Sequence, residues 1–140
     1  MVLIAHRGNI DGKSNKENHP ELINNALSKG YSVEIDLRYI SDKLYLGHDN
    51  AQYKIDYSYL LNSNLWIHCK NIEALEFLKD VKNPNNYFWH QEDDVTLTSN
   101  GFLWTYPNKS LTKYSIAVIK GSETPNLNCF GVCSDFVSNF

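Results

Sequence analysis

"YSVEIDLRYI", residues 31–40, is the stretch on which the fold turns. Period-two alternation sends Val33, Ile35 and Leu37 to one face and Glu34, Asp36 and Arg38 to the other. Helices can cover the apolar face. The charged face is ordinary on a solvent-facing antiparallel strand and costly if it points into a barrel, where it is tolerated at the mouth. There, two carboxylates can share a divalent cation through their oxygens, with Arg38 balancing the remaining charge. Alternation alone leaves both placements open.

The segments around it repeat one habit, an apolar run that stops on ionisable groups. "IAHRGN", residues 4–9, ends on His6 and Arg7 with Gly8 as a turn, and "LYLGHD" ends on His48 and Asp49. "LWIHCKN" carries His68 and Lys70 on one face, "YFWHQEDD" ends on His90 and then Glu92, Asp93 and Asp94, and the last apolar segment carries Asp135. A His-Arg pair suits a phosphate, because Arg supplies a fixed fork of donors and His a proton near neutral pH. Eight strands are predicted, around 2–6, 32–38, 43–48, 64–70, 86–90, 102–105, 115–119 and 130–136. The segment 43–48 reads equally as the return arm of a hairpin through Ser41-Asp42-Lys43. One helix is predicted over "HPELINNALSKG", with Asn18 or His19 at its cap, Pro20 and Glu21 in its first turn and Gly30 as its stop. A second covers Ile72–Val81, opened by Asn71. Parallel strands around a core converge at their carboxyl ends, where loops build a site. Four of the five histidines sit at or near such an end, which favours convergent chemistry over a solvated face.

At 140 residues, 42% hydrophobic and 13% aromatic, the chain is expected to form one domain over 1–140 with a substantial core. A net charge of -3 with no basic stripe argues against nucleic acid and anionic membrane surfaces, so an anionic ligand has to be met locally. No apolar run has the length of a signal peptide or a membrane span, and a cytoplasmic protein is the expectation. Cys69, Cys129 and Cys133 form no C-x-x-C pair and read as reduced, packed thiols. Cys129 and Cys133 with His68 match no zinc-ligand spacing.

Four linked elements, His6-Arg7-Gly8, Glu17-Asn18, Glu34-Ile35-Asp36 and His48-Asp49, follow one another over about fifty residues. In this order and spacing they resemble the amino-terminal signature of the glycerophosphodiester phosphodiesterase family, within the phosphatidylinositol-phospholipase-C-like phosphodiesterases. The resemblance implies an α/β fold, a TIM-type (β/α) barrel. It implies that His6 and His48 act as general base and general acid, and that Glu34 and Asp36 hold one divalent cation, Mg2+ or Ca2+. Arg7 would contact the phosphate of a small-molecule phosphodiester. The division of labour is chemically coherent: metal and Arg stabilise phosphoryl charge, one His takes a proton from the nucleophile and the other gives one to the leaving oxygen. The nucleophile is water or a neighbouring hydroxyl of the substrate, which forms a cyclic phosphate.

Past residue 64 the resemblance thins. The family's next strand offers Glu-x-Lys, whereas this chain has His68-Cys69-Lys70. Lys70 matches and joins the expected substrate contacts. His68 replaces a carboxylate ligand, which removes a negative charge and softens the preference for a hard cation. It is expected on the metal, on the phosphate, or hydrogen-bonded within the barrel. Asp135 is expected to support the mouth. Within "FWHQEDDVTLTSNGFLWTYPNKS", residues 88–110, Trp104 and His90 are expected substrate contacts, with Trp89 and Tyr106 suited either to stacking on a ring or to core packing, and Asp93 as a further candidate.

Eight strand–helix units take about 200–250 residues, so a reduced or distorted barrel lacking several helices is expected. Its open strand edges would need covering, as a second copy of the chain could do. Two classes of function follow. One is a phosphodiesterase, metal-assisted or, as an alternative, metal-independent; the other is a catalytically silent barrel that binds a phosphorylated small molecule. Retention of His6, His48, Glu34 and Asp36 together favours the enzyme, because binding alone needs no paired acid and base.

Overall fold

A computed structural model describes residues 1–140. The strands are β1 (Val2–His6), β2 (Ser32–Ile40), β3 (Lys43–Leu46), β4 (Tyr53–Ile55), β5 (Leu65–Cys69), β6 (Asn86–Phe88), β7 (Val95–Leu97), β8 (Leu103–Thr105), β9 (Ser115–Ile119) and β10 (Gly131–Ser134). The helices are α1 (Pro20–Ser28) and α2 (Ile72–Asp80), with 3-10 turns at Tyr57–Leu61 and Val137–Asn139. None is long and apolar enough to cross a membrane.

Seven strands run parallel in the lateral order β6-β5-β2-β1-β10-β9-β8. The first and last strands of the chain are therefore neighbours, with Ile4 opposite Cys133, and the sheet curls round on itself. β7 adds antiparallel to β8. At the far end of β2, beyond its pairing with β1, β3 and β4 form an antiparallel ribbon. The reversal into β3 is tight, with Ser41 and Asp42 both at positive φ, 49° and 61°.

This curled mixed sheet, a half-barrel with two helices, corrects the expectation of a TIM-type barrel. Strand–helix alternation survives only after β1 and β5. The later links, 106–114 and 120–130, hold Pro107, Gly121 and Pro125, which interrupt helices. The parallel series stays open, because β6 and β8 do not pair. Of residues 43–48, counted among the eight strands, 43–46 belong to the antiparallel ribbon instead and 47–48 lie beyond it, and β4 and β7 are additional short strands. The free edge of β6 is capped from within the chain: Ser99 donates its N–H to the Tyr87 carbonyl (2.9 Å) and accepts the Tyr87 N–H on its Oγ (3.0 Å).

Helix starts follow their caps. His19 Nδ1 accepts the Glu21 N–H at 3.1 Å with Pro20 at the first helical position, and Asn71 Oδ1 accepts the Ala74 N–H at 3.1 Å. Each helix then buries one apolar stripe on the convex face of the sheet. Ile23 and Ala26 of α1 and Ala74 and Leu78 of α2 form one core with Val33, Ile35 and Leu37. A second core, Ile4, Trp66, Phe88, Trp104, Ile116 and Cys133, fills the concave face. The alternation of β2 is thereby resolved: Glu34 and Asp36 stand inside the curl, at 1% and 0% exposure.

Candidate functional site

The carboxyl ends of the parallel strands open on a cleft of about 470 Å³. His6, Glu34, His48, His68, His90 and Asp135 line it, together with Arg7, Lys13, Lys70 and Lys120. A chain of net charge -3 thus gathers cations around one concave surface. Trp104 and Cys133 also reach the cleft from the inner core.

β1 delivers His6, and its neighbour β10 points at Asp135. His6 Nδ1 lies 2.7 Å from Asp135 Oδ1, while its Nε2 faces Glu34 Oε2 at 3.9 Å. Burial lowers the His6 pKa, but the Asp135 hydrogen bond and the Glu34 charge outweigh it and raise the group above its ordinary 6.5. Asn9 Nδ2 donates to Asp135 (2.8 Å) and to Glu17 (2.9 Å), tying this dyad to the next layer of carboxylates.

Arg7 sits in the left-handed region, φ 54°, an uncommon conformation for a long side chain. Its N–H donates to the backbone carbonyl of Glu34 (2.9 Å) and to Glu34 Oε2 (3.2 Å). Its guanidinium places Nε 2.9 Å from Asp36 Oδ2 and Nη1 3.0 Å from Glu17 Oε2. The residue expected on phosphate is therefore first a strut for carboxylates, with its remaining donor edge at the cleft. Arg38, expected to balance the charged ladder, instead donates to the carbonyls of Gly47 and His48.

Asn18 grips Asp36 at two points, donating Nδ2–H to Oδ2 (2.8 Å) and accepting the Asp36 N–H on Oδ1 (2.9 Å). Register with β5 sets His68 opposite Asp36. His68 Nδ1 lies 3.5 Å from both Glu34 Oε1 and Asp36 Oδ1, and its Nε2 lies 2.8 Å from the His90 carbonyl oxygen. Burial raises Asp36, and the adjacent Glu34 charge adds to the rise. Burial also opposes ionisation of Glu34, but His68, His6 and Arg7 outweigh it and hold that carboxyl low. Ligand atoms of Glu34, Asp36 and His68 all lie within 4.8 Å of one another. Asp36 Oδ1 is buried without a hydrogen-bond partner. Two carboxylate oxygens, one of them the orphaned Asp36 Oδ1, and one imidazole nitrogen together fit a divalent cation.

The opposite wall carries His48, whose Nδ1 lies 2.7 Å from Asp49 Oδ1. The turn that presents it requires Gly47: at φ 151°, an added Cβ would stand 2.0 Å from the Asn50 carbonyl oxygen. His90 is 7% exposed, with neither ring nitrogen hydrogen-bonded. Burial and the neighbouring His68 lower its pKa below the ordinary 6.5. Lys70 and Trp104 lie at the cleft, the indole stacked on Phe88 with centroids 4.5 Å apart. Asp93 is exposed and does not line the cleft, and Asp94 pairs with Lys109 at 2.8 Å.

Asn9, Lys13, Gln91 and Lys120 were not among the sequence candidates. Lys120 follows the rule that found the others, an ionisable group where an apolar strand stops. Asn9 carries no such signal, because Asn beside Gly is a common turn residue. No protein-family model, curated protein or solved structure matches the chain.

Proposed function

We propose that this chain is a metal-assisted phosphodiesterase of the glycerophosphodiester phosphodiesterase type, cleaving a small polyol or sugar phosphodiester. One observation carries the reading: the rings of two histidine–aspartate pairs, His6–Asp135 and His48–Asp49, each 2.7 Å at Nδ1, line a single cleft with Glu34, and Asp36 lies buried beside Glu34. A dyad of this form fixes the ring and leaves Nε2 as the working nitrogen. His6 Nε2 takes the proton from the attacking hydroxyl, with Asp135 stabilising the imidazolium that results. His48 delivers a proton to the leaving oxygen. Lys70, Lys13 and Lys120 supply positive charge to the phosphodiester, and Trp104 and His90 contact its organic part. A divalent cation held by Glu34 and Asp36 would polarise the phosphoryl group and offset its growing charge.

The test is turnover of a phosphodiester panel, including bis-p-nitrophenyl phosphate, with divalent cations supplied. His6→Ala and His48→Ala should each lower kcat/KM by at least about 100-fold, the scale of general acid–base catalysis. Circular dichroism should show both variants folded. Wild-type turnover in either one overturns the acid–base assignment.

A further inference from the structure

The floor of the cleft has a polarity that the carboxylate pair alone does not explain. Glu34 and Asp36 each commit one oxygen to the protein: Oε2 of Glu34 accepts the Arg7 N–H, and Oδ2 of Asp36 meets Asn18 Nδ2 and Arg7 Nε. Their other oxygens, Oε1 and Oδ1, both face His68 Nδ1 at 3.5 Å. A carbonyl oxygen can only accept, so the 2.8 Å contact with His90 assigns the proton of a neutral His68 to Nε2. In that neutral ring Nδ1 is a lone pair facing two carboxylate oxygens. Charge-assisted hydrogen bonds run at about 2.7–2.9 Å, and these contacts are longer. Ligands about 2.0–2.2 Å from a common ion stand roughly 3–3.5 Å apart, which is the separation His68 Nδ1 keeps from each carboxylate oxygen, and the three ligand atoms all lie within 4.8 Å of one another. Asp36 Oδ1 is buried and makes no hydrogen bond.

We infer that His68 Nδ1 is the third ligand of this site, and that the cation it takes is a first-row transition ion of the Mn2+ or Zn2+ class in preference to Mg2+ or Ca2+. The inference rests on the reading that Glu34 and Asp36 hold a cation. Ca2+ takes six to eight oxygens and Mg2+ a near-octahedral oxygen shell, whereas imidazole with carboxylates suits Mn2+, Fe2+, Co2+ and Zn2+. The His90 carbonyl is the outer partner that fixes the ring, as ligating histidines require. The sheet supplies the rigidity: Glu34 and Asp36 lie on β2, His68 lies on β5, and the two strands are in register from Val33 to Leu37.

Calorimetry on the chelator-treated full chain, with Mn2+, Zn2+, Mg2+ and Ca2+ in turn, tests this. One Mn2+ and, separately, one Zn2+ should bind per chain, each roughly 100-fold tighter than Mg2+ or Ca2+, the upper range over which metal-site partners act. His68→Glu should bring the Mn2+ and Mg2+ affinities to within about tenfold of each other, an effect on the lower end of that range. His68→Gln, a smaller change, should abolish the preference if the charged variant does not fold. Glu34→Gln with Asp36→Asn should lose the bound Mn2+. Equal affinity of the native chain for Mg2+ and Mn2+, an unchanged preference in either His68 variant, or no bound cation overturns the inference. Phosphodiester turnover of the same preparations separates the two ideas: Mn2+ selectivity without turnover sustains the ligand set and removes the enzyme, and turnover without selectivity does the reverse.

Discussion

Asn18 shows how much of the site depends on side chains that do no chemistry. It adopts φ 64°, where Asn is tolerated better than other residues with a Cβ, and there it satisfies both the N–H and the carboxylate of Asp36. Asn18→Gly removes the amide without straining the backbone. Urea denaturation should show a loss of about 1–3 kcal/mol, the cost of leaving buried groups unpaired; a smaller loss would mean that Arg7 alone holds Asp36. Asp135 gives a pH dependence of definite sign. Burial raises its pKa, but the His6 hydrogen bond and charge, with Asn9, hold it below the ordinary 3.8. A depressed carboxyl stabilises the fold fully above its unfolded value and loses that contribution as pH falls through the folded one. In chelator, the stability gap between the native chain and Asp135→Asn should therefore be widest between about pH 5 and the ordinary 6.5 of His6, close progressively below the ordinary carboxylate range as Asp135 takes a proton, and shrink at higher pH as His6, whose pKa Asp135 raises, loses its own. A gap that widens in acid would overturn the pairing.

At the level of elements, the strand edge at β6 replaces the closure that a full barrel would have. Ser99 meets both polar groups of Tyr87, while Thr98 Oγ1 donates to Asn86 Oδ1 at 2.7 Å. Ser99→Ala leaves the Tyr87 N–H without its acceptor. Hydrogen exchange at that amide should quicken by about tenfold, matching roughly 1–1.5 kcal/mol for one hydrogen bond, with α1 and α2 amides unaffected; unchanged protection would mean that the β5 side alone orders β6. This edge also marks where sequence reading ran out. Alternation in residues 33–38 and apolar runs ending on His6, His68 and His90 made the inner face and the convergent end legible, because period and strand polarity are local. β4 ("YKI") and β7 ("VTL") are three residues each, too short to show a period. The expected barrel came from a resemblance whose helices the later links cannot hold. The tautomer of His68 and the grip of Asn18 depend on contacts far apart in sequence, and no local pattern reports them.

For the whole molecule, the seam between the first and last strands decides whether the site exists at all. His6 and Asp135 are 129 positions apart and meet only because β1 and β10 pair. The dyad is thus a readout of global closure, and a fault in the seam should reach it. Gly131 is where the seam is tightest: an added Cβ would lie 2.8 Å from the Val2 carbonyl oxygen and 3.0 Å from Ile116 Cδ1. Backbone cannot yield there as a flexible side chain would. Gly131→Ala should cost about 1–3 kcal/mol, as overpacking does. It should also shift the His6 ring resonances, although residue 131 touches neither member of the dyad. Asp135→Asn provides the contrast, changing the ring environment while leaving the seam closed. If Gly131→Ala lowers stability without disturbing His6, the dyad forms independently of the seam, and the Asn9 amide and the Gly12 N–H, which donates to the Asp135 carbonyl at 2.7 Å, hold Asp135 in place. If neither quantity moves, β1 and β10 are not packed as closely as this register requires.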